Sequence, residues 1–161
     1  MMKKIIGIFL LLGVVVPSVC AEQVKVGFMT TLSGPAGIIG KQMKDAFQLG
    51  LTHIGNSFGD LESKVIYGDD QRKPDVAKQL ANKMVKKHQV HFVTGIIWSN
   101  LLVAIHGPVT RSGTFLVSSN AGPSTVAGKK CSENFFSVSW QNDQTPEAMG
   151  KYLQDNGINN V

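Results

Sequence analysis

Val24-Lys25-Val26-Gly27-Phe28-Met29, running into Thr30-Thr31-Leu32-Ser33-Gly34-Pro35-Ala36-Gly37, is the stretch whose reading decides the fold. The first segment is a short apolar strand and the second a turn-rich loop. Gly40 to Ile54 then carries helical periodicity, with Met43, Phe47 and Leu51 four apart. The same strand–loop–helix unit recurs downstream. Lys64-Val65-Ile66-Tyr67 reads as a second strand ending at Asp69-Asp70, and Pro74 suits the first turn of a helix with Val76, Leu80, Met84 and Val85 as its apolar stripe. Val90 to Thr94 is a third strand, Asn100 to Arg111 a helix despite Pro108, and Thr114 to Ser118 a fourth strand. After a Gly/Pro/Ser loop, Phe135 to Ser139 is extended. Thr145 to Asn156 is a helix with Pro146 near its start and Gly157 as its C-cap. Repeated βαβ units imply right-handed crossovers, hence an α/β fold with a parallel sheet and flanking helices. Ligands bind such sheets beyond the carboxyl ends of the strands. The loops after Met29, Tyr67, Thr94 and Ser118 are therefore where function is expected.

The N-terminus sets the compartment. Lys3 and Lys4 precede an apolar run from Ile5 to Val16, Pro17 and Ser18 break it, and Val19-Cys20-Ala21 offers a site for signal peptidase. That pattern predicts a cleaved signal peptide over residues 1–21 and export to the periplasm. An apolar run of this length covers about 18 Å of helix against a hydrocarbon core of about 30 Å, too short to span. Val19 is too large for the residue that normally precedes a lipidated Cys. Loss of the leader removes Cys20 and leaves Cys131 alone, which in an exported chain suggests a partner elsewhere or a free thiol. It also removes two lysines, leaving 14 basic against 11 acidic residues. The basic residues are spread along helices without interleaved aromatics, so nucleic acid is not the expected partner. The chain stops directly after a helical pattern, where a further strand is expected, and so reads as a fragment.

Several constellations invite chemistry. The loop from Thr30 to Lys41 lies between strand and helix and ends in Gly-Lys, as a phosphate-cradling loop does. That motif needs four residues between its glycines and a Ser or Thr after the Lys. Five residues separate Gly34 from Gly40 here, and Gln42 follows Lys41. What survives is a helix N-terminus with small residues, able to hold a carboxylate. Asp69-Asp70 could be a metal or phosphoryl-acceptor pair, yet no third acid or histidine accompanies them by motif. The plainer role is to hydrogen-bond the turn through Gln71, Arg72 and the helix that follows. His88-x-x-His91 straddles a helix end and a strand start and lacks the further ligands zinc requires. No metal is expected. No nucleophile elbow or Ser/His/Asp order stands out. Gly95-Ile96-Ile97-Trp98-Ser99-Asn100 and Ser118-Ser119-Asn120-Ala121-Gly122 place hydroxyls, amides and backbone N–H groups at strand ends, with Trp98 as a broad apolar surface. Ligand binding and plain helix capping, with Ser99 as N-cap, both fit these two segments.

Taken together, these segments resemble the branched-chain amino-acid-binding protein family, the type I periplasmic receptors of ATP-binding-cassette importers. The likeness rests on Leu32-Ser33-Gly34-Pro35 with Gly40, on Asp69-Asp70-Gln71 with Pro74, and on Gly95 with Ser99. The Ser118 to Gly122 loop and Phe135-Phe136 before Asp143-Gln144 complete it, in the family's order from Val24 to Val161. Ser119-Asn120-Ala121-Gly122-Pro123-Ser124 and Ser139-Trp140-Gln141-Asn142-Asp143-Gln144 further resemble the branch associated with aromatic acids. The resemblance implies the type I periplasmic-binding-protein fold. Residues 22–161 would then form an N-terminal lobe plus the start of the second lobe, the leucine-binding-protein-like domain being truncated. It implies no enzyme activity and no cofactor. The expected function is capture of a small carboxylate, an aromatic acid or a branched-chain amino acid, between two lobes of a monomer that delivers it to a membrane permease. By the same resemblance Ser99 matches the serine that hydrogen-bonds the ligand's carboxylate. Ser119, Asn120 and Ala121 match the strand-four loop that holds the carboxylate and a neighbouring polar group through side chains and backbone amides. Ile39 falls where amino-acid binders often carry an aromatic cover. An acid that pairs with an amino group would come from the second lobe. Two other functions remain open: a ligand-sensing receptor domain of the same fold, and an exported α/β enzyme using Asp69 and Asp70.

Overall fold

The structure, a computed structural model, describes residues 22–160. The signal-peptide reading of residues 1–21 lies outside them. Strand β1 (Gln23–Thr30) is central in a six-stranded sheet and pairs in parallel with β3 (Leu61–Asp69) along its whole length, from Gln23 opposite Glu62 to Thr30 opposite Asp69. On its other side lie β4 (Phe92–Thr94), β5 (Phe115–Ser118) and β6 (Phe135–Ser137), all parallel. The expected parallel sheet is therefore present. The sequence reading did not include β2 (Ser57–Phe58), a short arm paired antiparallel with β3. Its tight turns use Gly55, Asn56 and Gly59 in the left-handed region. The strand that follows begins at Leu61, earlier than Lys64, because Leu61, Glu62 and Ser63 carry no apolar alternation to announce it.

Helices cover the two faces unequally. Helix α2 (Pro74–Asn82) starts with Pro74 at its first turn, as expected, and winds on through a π-helical turn at Lys83–Lys87. Helix α3 (Ser99–Thr110) packs against it. Between them and the sheet lies the core, where Met29, Val93, Ile96, Leu101, Leu102, Ile105, Val109 and Leu116 are wholly buried. Each such side chain contributes about 1.5–3 kcal/mol by leaving water. Met84 enters this layer because its neighbours on the sheet are glycines: a Cβ at Gly27 would stand 2.7 Å from its sulfur, and one at Gly68 3.1 Å from its methyl. Helix α1 (Gly37–His53) lies on the opposite face, with Phe47 4.7 Å from Phe28 between ring centroids. Beyond α1 that face carries a row of rings, Phe92, Phe115 and Phe136, with Phe115 and Phe136 more than a third exposed.

The later elements hold close to expectation. The short helix α4 (Ser124–Ala127) replaces what the sequence offered only as a loop, and α5 (Gln144–Asp155) lies within a residue of its expected bounds. Gly157 ends α5 in the left-handed region, with Gly157 N–H donating to Gln154 and Ile158 N–H to Leu153. His91 is structural: its Nδ1 accepts the Lys25 N–H at 3.1 Å. Among the described residues no helix is long and apolar enough to cross a membrane.

Candidate functional site

From β1 the chain proceeds to β3 on one side and, after α2, to β4 on the other, so the sheet's switch point lies at the carboxyl end of β1. The register sets what meets there. Thr30 pairs with Asp69, and the Asp70 N–H donates to the Thr30 carbonyl at 3.0 Å, which brings Thr31 beside Asp70. The Thr31 hydroxyl donates to Asp70 Oδ1 and accepts the Trp98 indole N–H at 2.9 Å. Three loops, after β1, β3 and β4, are thus joined through side chains around Trp98. Helix α1 abuts the same loop. A Cβ on Gly40 would stand 1.9 Å from the Thr31 carbonyl oxygen, so the small residues of this segment serve close backbone approach.

Both aspartates are engaged by the turns around them. Asp69 Oδ1 accepts the N–H groups of Leu32 and Gln71, each at 2.9 Å, and Asp70 Oδ1 accepts that of Arg72 at 2.8 Å. Burial alone would raise the Asp69 pKa, but hydrogen bonds from Leu32, Ser33 and Gln71 outweigh it and hold it below the ordinary value. Asp70 is wholly buried, and burial pushes its carboxyl up, with the Asp69 charge adding to the rise and the bonds from Thr31 and Arg72 opposing it. Its Oδ2 has no hydrogen-bond partner among the described residues. These are the contacts of a turn brace. The partners are Gln71 and Arg72, as expected, and the loop after β1 takes the place of the helix that follows.

Ser99 is the first residue of α3, with Trp98 at the N-cap and no side-chain cap bond, so the capping role does not hold. Its hydroxyl instead accepts the Asn142 amide at 2.9 Å. Asn142 belongs to the loop before α5, which lies against the loop after β5: the Asn142 N–H donates to the Gly122 carbonyl at 2.8 Å, and a Cβ on Gly122 would meet the Trp140 carbonyl at 2.2 Å. Asn120 donates its side-chain amide to the Ile97 carbonyl at 2.8 Å, and the Ala121 N–H reaches the Ile96 carbonyl at 3.4 Å. Trp98, Ser99, Asn120 and Ala121 therefore form one cluster. Ala121, 2 % exposed, is part of its frame. Ile39 is 40 % exposed on the first turn of α1, and Ser119 is exposed beside Asn120. No hydrogen bond among the described residues ties the Ser119 side chain to the cluster. Sequence reasoning gave Thr31 and Asn142 no part in the site and read Arg72 only as a turn residue. Nothing in spacing marks Thr31 or Asn142 as reaching Trp98 and Ser99, because those contacts span 67 and 43 residues.

A family model for periplasmic binding proteins matches residues 23–161. The Leu/Ile/Val-binding protein homolog 6 of Brucella abortus is 29 % identical over 143 residues, covering 88 % of this chain and 36 % of that protein. Among solved structures, the ABC transporter substrate-binding protein from Sphaerobacter thermophilus aligns with a TM-score of 0.75 at 26 % identity, over 83 % of this chain and 37 % of that one. The solute-binding protein of an ABC transporter from R. palustris, solved with benzoate, aligns with a TM-score of 0.78 at 23 % identity, over 84 % of this chain and 38 % of that one. The chain thus spans little more than a third of the length of the proteins it matches.

Proposed function

Because the chain belongs to the periplasmic binding protein family, we propose that it serves as the extracytoplasmic solute-binding component of an ATP-binding-cassette importer. In this reading it is a monomer exported through a cleaved leader over residues 1–21, captures a small carboxylate by closure of two lobes, and passes it to a membrane permease without covalent chemistry. The observation that carries it is the wall at the sheet's switch point. Trp98 is tied there to the Thr31–Asp70 pair, Ser99 to Asn142, and the Ile97 carbonyl just before them to Asn120. A surface held this rigidly loses little freedom when a ligand docks. Ser99 supplies a hydroxyl, Ser119 and Asn120 supply exposed polar groups, Ala121 frames the loop, and Trp98 with Ile39 supplies apolar area. The relatives named for leucine, isoleucine and valine and the neighbour solved with benzoate support a carboxylate ligand of branched aliphatic or aromatic type. Residues 22–161 would form the first lobe and the start of the second, whose remainder closes over the ligand.

Ser99→Ala tests the site. In the complete gene product the change is expected to weaken a carboxylate ligand by about ten- to a hundredfold. A hydrogen bond to a charged group is worth about 1.5–3 kcal/mol. Calorimetric titration reads it. Unchanged affinity with a lower melting temperature would make Ser99 only a partner of Asn142.

Export has its own test. The mature protein is expected to begin at Glu22. N-terminal sequencing of material from the periplasm of a Gram-negative host decides it, and a start at Met1 or a lipid on Cys20 would defeat the reading.

A further inference from the structure

We infer that Arg72 is the charge that reads the ligand's carboxylate, so that this wall favours a plain carboxylic acid over a zwitterionic amino acid. The inference rests on the solute-binding reading above and goes past it, because that reading leaves the two ligand classes level.

The Arg72 guanidinium carbon stands 4.1 Å from the centroid of the Trp98 ring. A guanidinium held this close to a ring is attracted to its π face, and no hydrogen bond among the described residues occupies its N–H groups, which are free to meet a carboxylate fork. The ring beneath cannot turn away. It packs against the core, and its N–H is tied to Thr31, which is tied in turn to the buried Asp70. The backbone that carries Arg72 is just as constrained. Gln71 and Arg72 are consecutive non-glycine residues in the left-handed region, at φ +52° and +57°. They stay there because Asp69 and Asp70 accept their N–H groups. A strained turn braced by two carboxylates thus sets Arg72 over Trp98, one residue from Ser99. Strain of this kind persists where a site over-determines it.

The charge balance points to one ligand class. Among the described residues the ion pairs are Lys78 with Asp75 and Lys151 with Asp155, so Arg72 has no acidic partner. Ser99, Ser119 and Asn120 are neutral. A carboxylate that gives up water on entering a closing cleft needs an opposite charge or several donors, and Arg72 supplies the charge. An ammonium group would find no free carboxylate on this wall and would depend wholly on an acid from the second lobe. Both aspartates of this wall are hydrogen-bonded to the turns that hold it, and the charge over Trp98, the residue before Ser99, is positive.

The test is calorimetric titration of the complete gene product with benzoate, benzamide and isoleucine, for wild type, Arg72→Gln and Arg72→Lys. Wild type is expected to bind benzoate at least about tenfold more tightly than either of the others. Arg72→Gln should weaken benzoate by about ten- to a hundredfold and change benzamide less than about threefold, which collapses the preference for charge. Arg72→Lys should fall between, keeping the charge and losing the stacked fork. Equal losses for benzoate and benzamide would overturn the inference, because they would make Arg72 a packing group. Benzoate affinity unchanged in Arg72→Gln, or a wild-type preference for isoleucine, would overturn it while the solute-binding reading stands. If wild type binds neither benzoate nor isoleucine, that reading falls and the role of Arg72 falls with it.

Discussion

Gly40→Ala should destabilise the protein by about 3 kcal/mol, near the upper end for overpacking a tight contact, and lower its melting temperature by roughly 10 °C. The added Cβ would stand 1.9 Å from the Thr31 carbonyl oxygen, 2.7 Å from the Thr31 carbonyl carbon and 3.2 Å from Thr30 Oγ1. The first two are backbone atoms and cannot rotate away, so either α1 must lift from the sheet or the loop after β1 must shift. Both routes disturb Thr31, and with it the link from Asp70 to Trp98. The same helix supplies a control. A Cβ on Gly50 meets nothing within 4 Å, so Gly50→Ala should instead stabilise by about 0.4–1 kcal/mol through the loss of chain entropy in the unfolded state. Thermal unfolding of the two variants side by side reads the contrast. A Gly40→Ala protein as stable as wild type would mean that α1 does not sit this close to the loop.

Much of the fold was legible because its signals are local. The short apolar run of Val24 to Met29, the four-residue spacing in Met43, Phe47 and Leu51, Pro74 at a helix start and Gly157 at a helix end each act within a turn or two. The β2 arm was missed because two residues carry too little pattern. The π-helical turn at Lys83–Lys87 was missed because its apolar stripe continues that of α2. The site divides the same way. The loops that form it follow from topology alone, since ligands of such sheets bind beyond the strand ends. Which atoms meet there does not follow. Ser99 looked equally suited to capping, and only the placement of Asn142 across from it shows its hydroxyl engaged elsewhere. Arg72 looked like an ordinary turn residue until the left-handed turn carried it over Trp98. Contacts between residues tens of positions apart depend on strand register and loop path, which spacing does not encode.

Thr31→Val should cost about 3 kcal/mol at neutral pH, and the loss should shrink in acid. Valine matches threonine in shape but removes the hydroxyl that donates to Asp70 and accepts from the Trp98 indole. Asp70 is wholly buried and its Oδ2 already lacks a partner, so the variant leaves a buried carboxylate with only the Arg72 N–H. Depriving a buried charged group of a hydrogen bond costs about 1.5–3 kcal/mol or more. The pH dependence fixes the cause. Burial already holds the Asp70 pKa above its ordinary value, and loss of the Thr31 donor raises it further in the folded state. A carboxyl with a folded pKa above its unfolded one takes up its proton more readily when folded. Its burden on stability is therefore absent below the unfolded pKa of about 3.9 and sets in as pH rises through the folded value. The gap between Thr31→Val and wild type should narrow as the pH is lowered from 7 towards 4. Thr31→Ser, which keeps the hydroxyl, should stay within about 1 kcal/mol of wild type at every pH, by the small cost of one methyl group. Denaturant melts across that range measure all three proteins. A gap that stays constant with pH would show that Thr31 supports Trp98 through the indole hydrogen bond and packing alone, and that the Asp70 carboxylate plays no part in holding the wall.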